Sequence, residues 1–220
     1  MTMYRSFVAD FPSRCHDLLT GYWEDAKSKD REVTLMLAVA AAGFVTPYER
    51  LKRRARHPSG DRGQYTKAAE ELDSLLDTCF LTSEFAKPEP SDWRWYSPIA
   101  HAAMIAPWGA ETLECDYQVL APDFTVGQGL AHLRNAIAHG SIFVRGTPVI
   151  TQLVLLTRVD RKGKQYGALA VTPNAFRCFL VAWFDFLVRL PLPQSAMPRY
   201  VMELRGSHTA HTDDRRSDVS

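Results

Sequence analysis

The segment TVGQGLAHLRNAIAHG, residues 125–140, predicts a helix whose two ends are both marked in the sequence. Thr125 and Gln128 have the spacing of a capping box, in which each side chain binds a backbone N–H of the first turn. Gly140 is the residue type that often ends a helix, because glycine adopts the left-handed backbone conformation without strain. We therefore expect a helix of about four turns between these two signals.

The last turns of this helix carry three polar side chains that suit phosphodiester chemistry. Arg134 supplies a guanidinium that can hold a phosphate through two parallel hydrogen bonds and stays charged at physiological pH. His139 supplies an imidazole that can give or take a proton near neutrality, and Asn135 adds a carboxamide between them. None of these groups needs a metal ion for such chemistry.

Helical periodicity divides the side chains of this segment between two faces. At about 100° per residue, one polar stripe forms on the helix and the apolar side chains face the core. The stripe contains Gln128, His132, Asn135 and His139, and the core-facing residues are Leu130, Leu133 and Ile137. A polar stripe on an otherwise apolar helix indicates a cleft or a partner.

The same geometry separates Arg134 from His139, since five residues correspond to about 140° of rotation on an ideal helix. The long arginine side chain can curl round the helix, or a two-fold dimer can place the equivalent helix alongside so that both pairs converge on one cleft. We prefer the dimer. A non-catalytic interpretation also stays open, in which Arg134 pairs with a core carboxylate and His139 caps the helix carbonyls.

The Arg-Asn-x-x-x-His pattern of residues 134–139, at the end of a late helix in a mostly helical chain, resembles the HEPN superfamily. This resemblance implies a helical bundle that usually dimerises. It also implies metal-independent endoribonuclease activity, which some members have lost. Carried over, Arg134 would bind the phosphate, Asn135 would orient Arg134 or the substrate, and His139 would be the catalytic histidine.

One HEPN subgroup has a tyrosine two positions after the histidine, where a partner antitoxin attaches a nucleotide. This chain has Ser141 at that position, so regulation through such a tyrosine is not expected.

The remaining periodicity predicts a mainly α fold with a small antiparallel β-meander inserted before the last long helix, and the resemblance implies that the helices form a HEPN-like helical bundle. The meander is expected over about residues 142–172, and Thr172 and Pro173 open a strongly apolar helix after it. Earlier helices are expected over residues 13–27, 31–42, 47–56 and 64–85, with Gly43 ending the second. We expect one HEPN-like domain over residues 1–205 and a disordered polar tail over residues 206–220.

Residues 87–123 combine prolines with aromatic side chains, which predicts loops and short helices. The aromatic rings of this region can stack on unpaired bases, although packing of a loop onto the core is their commoner role. They are Trp93, Trp95, Tyr96 and Trp108.

Composition limits the class of protein. The chain has 220 residues, of which 46% are hydrophobic and 23% charged, as in a globular domain with a substantial core. The longest apolar run, residues 35–45, is too short to cross a bilayer, and the N-terminus lacks a signal-peptide pattern, so we expect a cytoplasmic protein without membrane association. The four cysteines have no metal-ligand spacing, and neither a metal nor a cofactor is expected.

A formal net charge of +1 does not by itself indicate a nucleic-acid-binding protein. A local basic face is predicted on the helix that begins near Thr46, where Arg50, Arg53, Arg54 and His57 fall together. These three arginines and His132 are the candidate RNA-binding residues. A solvated cationic face is the commoner role for such arginines, and a hydrogen-bonded structural role is the commoner one for a lone histidine.

The sequence thus predicts a metal-independent endoribonuclease that cleaves RNA through its own 2'-hydroxyl, with RNA as substrate and a homodimer as the working form. A toxin held by an antitoxin, or an anti-phage effector, fits this chemistry. The alternative is a catalytically inactive dimeric HEPN module that binds a nucleotide or a protein.

Overall fold

The computed structural model describes residue 8 and residues 10–52, 65–86, 90–100, 118–121, 123–158 and 165–190. Seven α-helices lie within these ranges: α1 (Asp10–Gly21), α2 (Trp23–Ser28), α3 (Glu32–Ala40), α4 (Thr46–Leu51), α5 (Thr66–Leu76), α6 (Val126–Ala138) and α7 (Pro173–Arg189). The strands are β1 (Trp93–Ala100), β2 (Gln118–Val119), β3 (Ile142–Arg145), β4 (Gln152–Arg158) and β5 (Gln165–Val171). The fold is mainly α-helical with one small antiparallel sheet.

The sheet has the strand order β2-β1-β5-β4-β3. Strands β3, β4 and β5 follow one another along the chain and pair with their neighbours, Ile142 with Leu155 and Leu155 with Leu169. Strand β1 pairs with β5 on the far side, so the sheet is wider than the sequence predicted. Side chains of alternate residues point to opposite faces, and one face packs against the helices.

The prediction of loops and short helices over residues 87–123 is wrong for residues 93–100, which form β1. The pairing register of β1 shifts between Tyr96 and Ile99, the interval that contains Pro98. A proline is tolerated in a strand at such an interruption, and this is why the proline did not prevent a strand. Trp93 is fully buried and Tyr96 is nearly so, which confirms packing as the role of these two rings.

Gly43 does not end a helix, contrary to the sequence-based expectation. Helix α3 continues through a π-helical segment, Ala41–Val45, directly into α4. A Cβ at Gly43 would lie 2.6 Å from Cε1 of Phe184 and 2.8 Å from Sγ of Cys15. The glycine therefore permits close packing of this helix against α1 and α7, which is a role different from helix termination.

Helix α7 is the centre of the main core. Its apolar face is buried almost completely, with Phe176, Phe179, Leu180, Trp183 and Phe184 each inaccessible to solvent. The indole Nε1 of Trp183 donates a hydrogen bond of 3.1 Å to the carbonyl oxygen of Gly43, so this buried polar atom is satisfied. The strongly apolar sequence of α7 is therefore explained by its position in the core.

Helix α5 is shorter than expected and ends at Leu76, after which turns continue to Ala86. The expected polar tail, residues 206–220, lies outside the described residues. Within the described part of the chain, the helices are too short or too polar to cross a membrane.

Candidate functional site

Helix α6 begins and ends where the sequence predicts. The Thr125 hydroxyl accepts a hydrogen bond of 3.2 Å from the backbone N–H of Gln128, and the Gln128 side chain accepts one of 2.8 Å from the N–H of Thr125. Gly140 has a φ of +64°, and Ser141 N–H donates to the Ala136 carbonyl at 2.9 Å. The capping box and the glycine stop are both confirmed, and they fix the direction in which the end of α6 points.

His132 attaches α6 to the sheet. Its Nε2 lies 2.8 Å from the carbonyl oxygen of Leu155, and its Nδ1 lies 2.8 Å from the hydroxyl of Thr157. Since a carbonyl oxygen only accepts, Nε2 carries the proton and Nδ1 accepts from Thr157. Burial lowers the pKa of His132 to about 4, so the ring is neutral at physiological pH.

The prediction that His132 binds RNA is therefore corrected. The side chain is 6% exposed, and both ring nitrogens are engaged within the protein. Angular spacing placed His132 on the polar stripe, but packing of the sheet against this stripe buries it. Its role is to hold α6 at a fixed position along β4.

Arg134 is engaged within the protein. Its Nε contacts the carboxylate of Glu49 on α4, and its Nη1 donates a hydrogen bond of 2.6 Å to Oδ1 of Asn135. The Glu49 carboxylate also binds Nζ of Lys52 at 2.6 Å. Both members of the Arg134–Glu49 pair are about one quarter exposed, at 26% and 30%. This pairing with a carboxylate is the arrangement that the non-catalytic interpretation expects for Arg134.

His139 and Asn135 open onto a cleft of about 550 Å³. His139 is exposed, and its imidazole makes no hydrogen bond within the described part of the chain. The described residues that line the cleft are Asn135, His139, Ser141, Leu156, Thr157, Arg158 and Tyr166, and none of them is acidic. The volume lies in the range typical of ligand sites, and the lining favours an anion.

Asn135 is the connection between Arg134 and the cleft. It contacts the Arg134 guanidinium and also lines the cleft with His139, whereas Arg134 is not among the described lining residues. The structure thus brings Asn135 and His139 together at one cavity and directs Arg134 toward Glu49. The separation of Arg134 from His139 agrees with their angular spacing on the helix.

Arg158 and Tyr166 also line the cleft, and the sequence did not indicate them as site residues. They lie on adjacent strands and form a directly opposed pair, Arg158 on β4 and Tyr166 on β5. The spacing of residues along the chain does not predict that Arg158 and Tyr166 lie near His139. Their position results from the pairing of β4 with β5 and from the anchoring of α6 by His132.

The remaining RNA-binding candidates belong to the basic face near α4. Arg50 lies in the last turn of α4 and is partly buried. Arg53 and Arg54 lie outside the described residues. The predicted basic face therefore stays a prediction.

The family described as HEPN pEK499 p136 matches residues 1–193, which is most of the chain. No curated protein and no solved structure matches the chain.

Proposed function

Since the chain belongs to the HEPN pEK499 p136 family, we propose that it is a metal-independent endoribonuclease that cleaves RNA through the substrate's own 2'-hydroxyl. The family supports a nuclease or nucleotide-binding role in general. The finer assignment depends on the chemistry of the residues at the end of α6.

One observation carries the proposal: His139 is exposed at a 550 Å³ cleft whose described lining includes no carboxylate. A general acid–base histidine must reach the substrate, and a buried His139 would have ended the hypothesis. The absence of acidic groups in this lining favours a phosphate, because no negative charge there repels it.

The reaction assigns a proton-transfer role to His139. The 2'-oxygen attacks the adjacent phosphorus and loses its proton, the bond from phosphorus to the 5'-oxygen breaks, and that oxygen gains a proton. The products are a 2',3'-cyclic phosphate and a free 5'-hydroxyl. A positioned imidazole contributes about 10²–10⁴-fold to such a rate.

Arg134 is the proposed counter-charge for the phosphate, and Asn135 is the residue that orients it. The hydrogen bond from Arg134 Nη1 to Asn135 Oδ1 supports this orienting role. The guanidinium reaches a phosphate either after exchange of its Glu49 contact or from a second protomer whose α6 faces the same cleft. We favour the second route, in which a homodimer completes the site.

A cleavage assay on end-labelled single-stranded RNA in excess chelator tests the proposal. We expect the wild type to cleave, and His139→Ala and Arg134→Ala to lose at least about 100-fold in rate. His16→Ala is the matched control, since His16 lies on α1 and is outside the described lining of the cleft. Replacing the ribose at the cut by deoxyribose should block cleavage, and persistent cleavage there would contradict the proposed chemistry.

A catalytically inactive module that binds a nucleotide or a protein is the second candidate. The Arg134–Glu49 pair favours it, because a guanidinium already neutralised by a carboxylate is less available to a phosphate. A folded wild type that leaves varied RNAs intact but binds nucleotides or oligonucleotides would support this candidate against the nuclease.

A role as a toxin or an anti-phage effector is compatible with the nuclease, with an antitoxin as the regulatory partner. Growth arrest that requires His139 on expression would support it. Harmless expression of the wild type would count against it.

A further inference from the structure

Arg158 and Tyr166 form a preorganised cationic pair on the wall of the cleft. The Arg158 guanidinium carbon lies 5.9 Å from the centre of the Tyr166 ring, and Nε donates a hydrogen bond of 3.2 Å to the Tyr166 hydroxyl. The two residues are directly opposed in the β4–β5 pairing, so the strands fix their separation. A guanidinium held over an aromatic ring loses little further freedom when it binds a ligand.

Strand β4 extends beyond β3, and this places Arg158 beside the end of α6. The first pair between the two strands joins Ile142 to Leu155, and the last backbone bond on that side runs from Leu156 N–H to the Ser141 carbonyl at 2.9 Å. Thr157 and Arg158 continue past this point, while His132 anchors α6 to Leu155. The cleft occupies the resulting space between the strand end and His139.

Arg158 also has unused hydrogen-bonding capacity. Its Nε contacts Tyr166, whereas its two terminal nitrogens have no partner among the described residues. These are the nitrogens that bind a phosphate through two parallel hydrogen bonds. Arg158 is an exposed cation in a lining without carboxylates, so nothing described in the cleft neutralises it, in contrast to Arg134.

We propose that Arg158, held by Tyr166, is a phosphate-binding subsite for single-stranded RNA next to His139. This inference rests on the proposed nuclease function and deepens it. Arg158 binds a backbone phosphate beside the one that reacts, and Tyr166 positions the guanidinium. The subsite supplies a phosphate ligand from the same protomer as His139.

Binding of an uncleavable ligand tests the subsite separately from catalysis. The probe is a fluorescent 2'-O-methyl oligonucleotide of about eight nucleotides, a length that spans a typical single-strand site. We expect Arg158→Ala to weaken binding about tenfold, the effect of losing a hydrogen bond to a charged group. The slope of log Kd against the logarithm of the salt concentration should fall by about 0.7, which corresponds to one phosphate contact on a single strand.

Arg177→Ala is the matched control. Arg177 lies on α7 with its guanidinium carbon 4.5 Å from the ring centre of Trp23, so it is the same kind of cation–aromatic pair at a different place. We expect it to leave affinity and salt dependence unchanged. Tyr166→Phe keeps the ring and removes the hydroxyl that accepts from Nε, and a severalfold weaker binding is expected. Circular dichroism confirms that each variant folds.

Unchanged affinity and unchanged salt dependence in Arg158→Ala would overturn the subsite, as would failure of the wild type to bind the oligonucleotide. Inorganic phosphate should displace the fluorescent probe much less than unlabelled oligonucleotide does at the same concentration. Equal displacement by the two competitors would also overturn the subsite, because that result identifies a general anion site. If the wild type binds through Arg158 but cleaves no RNA, the subsite stands and the nuclease proposal fails. If the wild type does cleave RNA, Arg158→Ala should raise KM, whereas His139→Ala should lower kcat.

Discussion

Arg134 and His139 lie five residues apart on the same helix end and occupy different surroundings. The guanidinium contacts the carboxylate of Glu49, whereas the imidazole is exposed at the cleft. Asn135 is the side chain that touches both environments, since it accepts from Arg134 and lines the cleft. Whether Arg134 reaches a phosphate therefore depends first on its contact with Glu49.

Removing the Glu49 charge should make Arg134 more available to RNA. We expect Glu49→Gln to raise affinity for a 2'-O-methyl oligonucleotide about fivefold, since a partly exposed ion pair contributes up to about 1 kcal/mol. Fluorescence anisotropy measures the change. The gain should vanish in the double variant with Arg134→Ala, because the guanidinium that benefits is then absent.

Asp25→Asn is the control for Glu49→Gln. It changes the net charge equally and removes an exposed ion pair between Lys29 and Asp25. An equal gain in affinity for Asp25→Asn would show that overall charge, not release of Arg134, causes the effect.

A composite site across a dimer predicts complementation between two inactive variants. Mixing Arg134→Ala with His139→Ala and allowing subunits to exchange should restore about one quarter of wild-type activity, because half of the dimers are mixed and each has one intact site. Ribonuclease activity after exchange is the measurement. If both residues act within one protomer, each subunit lacks one group and the mixture stays inactive.

The buried His132 predicts a pH dependence of stability. Its pKa of about 4 in the folded protein lies below the ordinary value of 6.5, so the unfolded chain binds more protons between these values. Stability contributed by neutral His132 is present above pH 6.5 and is lost as the pH falls toward 4. At about 1.4 kcal/mol per pKa unit, the loss is about 3 kcal/mol.

Urea unfolding of the wild type and His132→Gln between pH 7 and pH 4 isolates this contribution. Carboxylates titrate in both proteins, so the difference between the two curves reports His132. We expect the difference in the free energy of unfolding to shrink as the pH falls. A difference that is constant across this range would contradict the assignment of a neutral, buried His132.

Gly129 on α6 should not tolerate a side chain. A Cβ there would lie 2.7 Å from Cδ2 of Phe80, and this ring is fully buried with its centre 5.0 Å from that of Trp93. Overpacking of about 1–3 kcal/mol outweighs the gain of about 1 kcal/mol in helix propensity. We expect Gly129→Ala to lower the melting temperature.

Gly21, the last residue of α1, is the matched control. No described atom lies within 4 Å of a Cβ added there. Gly21→Ala should therefore leave stability unchanged or raise it by up to about 1 kcal/mol. Equal melting temperatures for the two variants would show that Phe80 moves aside.

Local signals made several features predictable. The capping box of Thr125 and Gln128, the stop at Gly140 and the start of α7 at Thr172 depend on residues within a few positions of one another. The Arg-Asn-x-x-x-His pattern likewise led to the HEPN family, which the match over residues 1–193 confirms. These features are encoded by short-range backbone chemistry and by a contiguous motif.

Other features were predicted wrongly, or were not predicted, because they depend on packing partners that are distant in the sequence. The sequence predicted that Gly43 ends a helix. Instead, Gly43 packs closely against Cys15 and Phe184 inside a continuous helix. Residues 93–100 form a strand because they pair with β5.

The sequence by itself determined the ends of α6, the family and the residue types available for phosphate chemistry. The tertiary structure alone decided that His132 is buried, that Arg134 meets Glu49 and that Arg158 joins His139 at one cleft. The physical reason is that capping depends on neighbours along the chain, whereas burial, ion pairing and cleft formation depend on which elements pack together.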